Sequence, residues 1–120
     1  IAHEFAHCYV NPVVEGNKEL LKDHTSFFKL HKNMPQSYNV DYAIINEYFV
    51  RAFQIRFMEV NHRLFPGFDI SAEYERQRKM FIFIEDFVEF LKKFEKSRTT
   101  FGDCYKNSIE GILRNVNSSG

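Results

Sequence analysis

Apolar and polar positions along this chain repeat with the period of helices. The clearest case is 70–96, where Ile70, Tyr74, Phe81, Ile84, Val88, Leu91 and Phe94 fall on one stripe, the pattern of a helix turning one face to a core. One long helix is predicted there. Glu73 and Glu75 stand in its first turns and Lys92, Lys93 and Lys96 in its last, each sign at the end of the helix dipole that suits it. Over 41–61, Tyr42, Ile45, Phe49, Phe53 and Phe57 wind onto one apolar arc, with Asp41 placed to cap the start. Glu47, Arg51, Gln54 and Met58 project from the other side of that helix. A helix over 18–31 puts Leu20, His24, Phe27, Phe28 and His31 on one face. Shorter helices are predicted over 1–10 and 103–116. Asn11-Pro12 stops the first, because proline disfavours helical geometry in the residue before it. A break at 11–17, a loop over 33–39 and a turn at 61–69 around Pro66-Gly67 connect these elements, and 117–120 is expected to fray. The expected fold class is all-α, about five helices in one domain over 1–116.

Composition narrows the function. Fourteen Phe and six Tyr supply ample core material. The formal net charge is zero and no basic block occurs, so nucleic acid is not an implied partner. No apolar run approaches the roughly 20 residues that a membrane span needs. Cys8 and Cys104 are too few for a disulfide framework and are expected to be free, buried thiols.

The chemistry is concentrated at the start. His3, Glu4 and His7 spell H-E-x-x-H in Ile1-Ala2-His3-Glu4-Phe5-Ala6-His7. Residues four apart on a helix lie about one turn apart on the same face, so two imidazoles there can ligate one zinc ion. Glu4 beside them can act as a general base toward water on the metal. Cys8 points about 100° away from His7 and is a poor ligand for the same ion. Such a metal helix at the very edge of the sequence suggests a piece of a longer protein, with an N-terminal part of the same polypeptide as its partner.

A catalytic zinc usually takes three protein ligands and keeps one position for water. The extended motif with a third histidine is absent, since Val10 and Val13 occupy the positions where its Gly and His would fall. The third ligand must come from further along. Glu47 leads the polar side of its helix, but wheel geometry serves equally well for a surface ion pair between Glu47 and Arg51. His24 and His31 are the other candidates, as third ligand or as donors to a developing oxyanion. Imidazoles in the middle of an apolar stripe are more often hydrogen-bonded core residues. His62, in a turn, is expected to be solvated.

The combination H-E-F-A-H followed by A-I-I-N-E resembles the gluzincins, zinc peptidases with two motif histidines and a downstream glutamate. The longer string H-E-F-A-H-C-Y-V-N-P is similar to a stretch that recurs in an uncharacterised family of bacterial zincin-like domains. The likeness spans about Ala2 to Ala52. It implies that Glu47 of the Asn46-Glu47 pair is the third zinc ligand. It also implies that the chain is the helical, C-terminal subdomain of an α+β metallopeptidase without its upstream sheet, and weakly favours an exported bacterial protein, extracellular or periplasmic. Two departures stand out. His7 and Glu47 are 40 positions apart, longer than in thermolysin-like enzymes, and Arg51 stands where those enzymes carry an Asp that orients a histidine ligand.

The implied reaction is peptide-bond hydrolysis by zinc-activated water, with Glu4 taking the proton and passing it to the leaving amine. Arg51, His24, His31, Asn46 and the tyrosines at 38, 42 and 105 are candidates to support the ligands or hold the oxyanion. In resembling enzymes substrate pairs with a strand before the motif helix. These 120 residues read as containing no such strand, so the piece alone is expected to bind metal weakly and show little activity. Two alternatives remain: another zinc amidohydrolase, such as a deformylase, and a non-catalytic helical scaffold with a decayed metal site.

Overall fold

A computed structural model describes the backbone of residues 2–31 and 41–119 and the side chains of residues 8–31 and 41–114. Among the described residues the chain is all helical, with six α-helices, two short 3₁₀ turns and no strand. The helices are α1 (Ala2–Gly16), α2 (Thr25–Lys29), α3 (Asp41–Val60), α4 (Ile70–Arg78), α5 (Ile84–Lys96) and α6 (Phe101–Ser119). The 3₁₀ turns are Lys18–Leu21 and His62–Leu64.

Helix α3 is the axis of the domain, packed along α1 on one side and α5 on another, with α4 beside it. Its sequence reads as amphipathic, yet every residue from Ile44 to Val50 is buried. A helix buried all round is one enclosed by neighbours, and here they cover the polar side as well. Phe57, expected on the core arc, is instead 47% exposed, because α3 runs on past the packed layers. Its ring rests edge-on against Phe65, at 6.0 Å.

The core is aromatic. Tyr48 stacks on Phe87 with ring centroids 4.4 Å apart, and Phe49 meets Phe87, Phe101 and Tyr105. The expected stripe of 70–96 faces this core: Phe81, Ile84, Val88 and Leu91 are buried, while Ile70, Tyr74 and Phe94 pack against it partly buried. Arg56 of α3 clamps Glu95 of α5 through two hydrogen bonds of 2.7 and 2.9 Å.

Several predicted boundaries are corrected. The first helix does not stop at Asn11 but passes through Pro12 to Gly16. Proline removes the bond to the Cys8 carbonyl, but Cys8 and Pro12 are both exposed, so water can meet that carbonyl while Val10 and Val14 hold the opposite face in the core. The Asn17 amide then closes the helix by donating to the Val13 carbonyl at 2.8 Å. The helix expected over 18–31 is a 3₁₀ turn followed by the short α2, an arrangement that keeps Leu21, His24, Phe27 and His31 buried together.

The helix expected over 70–96 is two helices, broken at Lys79–Phe83. No Gly or Pro marks the break. The Phe83 N–H, which a continuous helix would give to the Lys79 carbonyl, donates instead to the Tyr48 hydroxyl at 3.3 Å. Helix α6 begins at Phe101, capped by Thr100 Oγ1 accepting from the Asp103 N–H at 3.1 Å. Its helical backbone runs to Ser119; nothing from Asn117 to Ser119 is a strict breaker, and each added residue gains a bond. Both cysteines are free, but Cys8 is exposed and Cys104 half-buried. Among the described residues no helix is long and apolar enough to cross a membrane.

Candidate functional site

The positions of the H-E-x-x-H motif lie on α1, whose backbone is helical throughout 2–16. The side chains of His3, Glu4 and His7 lie outside the described residues, as does Tyr38. Helix α1 packs along α3, with the ring of Tyr9 edge-on to Phe53 at 6.1 Å. Among the described residues no three His, Cys, Asp or Glu side chains cluster closely enough to hold a metal ion.

Glu47 and Arg51 do form the i,i+4 pair that the wheel suggested, Arg51 Nε donating to Glu47 Oε1 at 3.0 Å. It is not a surface pair: Glu47 is only 5% exposed. A buried carboxylate is tolerated only when paired and hydrogen-bonded, and Glu47 has a further interaction besides this one. Arg51 carries the chain of bonds onward. Its Nη1 donates to Gln77 Oε1 at 2.9 Å, and the Gln77 amide nitrogen donates to Glu73 Oε1 at 2.9 Å. Glu73 is paired in turn with Arg76. The Arg51 guanidinium lies over the Phe81 ring, 4.5 Å from its centroid. This seam runs from the interior of α3 to the wall of a cavity of about 550 Å³ between α3 and α4, lined by Arg51, Gln77, Arg76 and Lys79 among others.

Asn46 is buried, and its Oδ1 has no hydrogen-bond partner among the described residues. Such orphaned acceptors are rare in native interiors and call for an explanation.

The other candidate histidines have structural partners. His31 Nδ1 donates to the Phe27 carbonyl at 2.8 Å, which leaves Nε2 to accept from the Tyr48 hydroxyl at 2.5 Å. Both nitrogens are thereby engaged inside the core, and burial lowers the imidazole below its ordinary pKa of 6.5. His24 precedes α2 and faces Glu110 of α6, Nε2 to Oε1 at 3.4 Å. His62 is exposed. Tyr42 lies under the Lys18 ammonium, 5.4 Å from its ring centroid. The Tyr105 hydroxyl is buried with no partner among the described residues.

The model of the domain of unknown function DUF4932 matches residues 1–110. The chain belongs to the DUF4932 family. No curated protein and no solved structure matches it. In this DUF4932 domain, two polar residues had no signal in the sequence. Gln77 falls within a helix that reads as a core stripe with a solvated back, and Lys79 reads as an ordinary helical lysine. Both acquire meaning from α4 ending beside Arg51, a contact 26 residues away in sequence.

Proposed function

We propose that this DUF4932 domain forms part of a zinc-dependent peptidase acting on a peptide or protein substrate. The observation that carries the reading is Glu47, a carboxylate buried within the helix along which the H-E-x-x-H helix packs. His3, His7 and Glu47 would hold the metal. Two imidazoles and one carboxylate are a donor set that suits a catalytic zinc, and the orphaned Oδ1 of Asn46 beside Glu47 supports a polar site there. Zinc bound there would supply Lewis acidity and a water acidic enough to ionise near neutral pH. Glu4 would accept the proton of the attacking water and deliver it to the leaving amine. Arg51 fixes the orientation of the Glu47 carboxylate, because its Nε–H engages Oε1 and Gln77 holds the far end of the guanidinium. Outer partners of this sort orient metal ligands and tune their basicity.

The test is elemental analysis of the full-length polypeptide together with cleavage of a peptide library. About one zinc per chain is expected for a catalytic site. Glu4→Gln should keep the metal and lose cleavage, and Glu47→Gln should lose the metal. Full-length protein without stoichiometric metal overturns the reading in favour of a helical scaffold.

A further inference from the structure

We infer that the cavity between α3 and α4 is a binding subsite for an apolar residue that bears a free carboxylate, the C-terminal residue of a peptide. The volume of about 550 Å³ falls within the range of sites for small organic groups. One side of the lining is apolar, built from Ile55, Met58, Phe68 and Phe81. The other side is polar and carries Arg51, Arg76 and Lys79 together with the carboxylate of Glu73.

The charges there do not balance. Arg51 is paired with Glu47 and Arg76 with Glu73, whereas Lys79 has no carboxylate partner among the described residues. The lining therefore carries one positive charge more than its paired carboxylates offset, which favours an anionic ligand. Arg51 also has donors to offer it: a guanidinium carries five N–H groups, of which Nε and Nη1 account for the bonds to Glu47 and Gln77. Carboxylate is the anion a planar guanidinium receives best, through two parallel N–H bonds. A ligand with an apolar body and one terminal carboxylate satisfies both sides of the cavity together.

Arg51 then serves two carboxylates, holding Glu47 with Nε while it lines the cavity. The anion site stands on the cavity alone. Its assignment to a peptide end rests on the peptidase reading, since only there does an adjoining substrate chain have a purpose.

The full-length protein, stripped of metal with a chelator, should be titrated calorimetrically with N-acetyl-L-phenylalanine, with its C-terminal amide, and with 3-phenylpropanoate. The acid is expected to bind about tenfold or more tightly than the amide, as a charge-assisted hydrogen bond implies. Lys79→Gln, at an exposed position, should remove most of that preference, and Arg51→Gln should do the same. The N-acyl amino acid should also bind more tightly than 3-phenylpropanoate, which lacks the peptide-like group. Equal binding of acid and amide, no binding of any of the three, or a preference unchanged in Lys79→Gln overturns the site. Equal binding of 3-phenylpropanoate overturns the peptide assignment. Because metal is absent throughout, these outcomes are independent of whether the protein proves to be a zinc enzyme.

Discussion

Glu47 and Tyr48 are adjacent in sequence and both buried, yet they belong to different kinds of interior. Around Tyr48 every polar group finds its match: the hydroxyl donates to His31 and accepts from the Phe83 N–H, and the ring stacks on Phe87. That network is closed on itself. Around Glu47 the bonds run outward, through Arg51 and Gln77 to a cavity lined by Arg51, Glu73, Arg76 and Lys79 among others. A fully satisfied buried network specifies a fold, whereas polar groups converging on an open cavity are where a ligand can act. One helix thus carries two kinds of interior, one closed on itself and one that opens on a cavity.

The largest expected effect tests that division by stability. Phe87 is wholly buried among aromatic rings, and Phe87→Ala should cost about 3–5 kcal/mol. Met58 lines the cavity and is only partly buried, so Met58→Ala should cost about 1 kcal/mol or less, close to the range of surface changes. Urea unfolding of the two variants measures both. Similar losses would mean that the cavity wall is packed as part of the core.

How far the sequence anticipates this division depends on the range of the forces involved. The 3.6-residue period placed Phe81, Ile84, Val88 and Leu91 on a core face, because that period is local and burial follows it. The break after Arg78 was not legible, since what ends the helix is a hydroxyl from Tyr48, 35 residues away from Phe83. Pro12 was legible and misleading: the local rule weighs only the geometry of the residue before the proline, and it had no knowledge of Val10 and Val14 anchoring the helix in the core. For the candidate site, the i,i+4 spacing delivered the Glu47–Arg51 pair. It did not deliver its burial, because α1 and α5 cover both sides of α3 only in three dimensions.

A smaller effect should appear with pH. Desolvation holds the His31 imidazole below its ordinary 6.5, outweighing the Phe27 carbonyl, which raises it. The unfolded chain therefore binds a proton at higher pH than the folded one. Stability from this group is complete above about 6.5 and declines as the pH falls below it toward the folded value. Thermal midpoints of the native protein and of His31→Gln, compared from about pH 8 down to about pH 5, read the contribution as a difference in slope. The native protein should lose more on acidification. Parallel slopes would remove His31 from the closed network.

The smallest effect bears on where the boundary between the two interiors lies. Tyr105 and Asn46 each bury a polar atom with no partner among the described residues, but in different settings. Tyr105 packs against Phe49 and Phe101, and burial pushes its phenol well above the ordinary value of 10. Removing that hydroxyl leaves the ring contacts in place, so Tyr105→Phe should be neutral or stabilising by up to about 1 kcal/mol, because an unpaired buried hydroxyl costs free energy. Asn46→Leu also removes an orphaned acceptor and should likewise not destabilise. If the proposed zinc site lies beside it and the Asn46 amide supports that site, however, the substitution should weaken zinc binding by about tenfold or more, the toll of losing an outer partner of a metal ligand. An Asn46→Leu variant that gains stability and keeps its zinc affinity would place position 46 in the same class as Tyr105. The polar side of α3 would then begin at Glu47 itself.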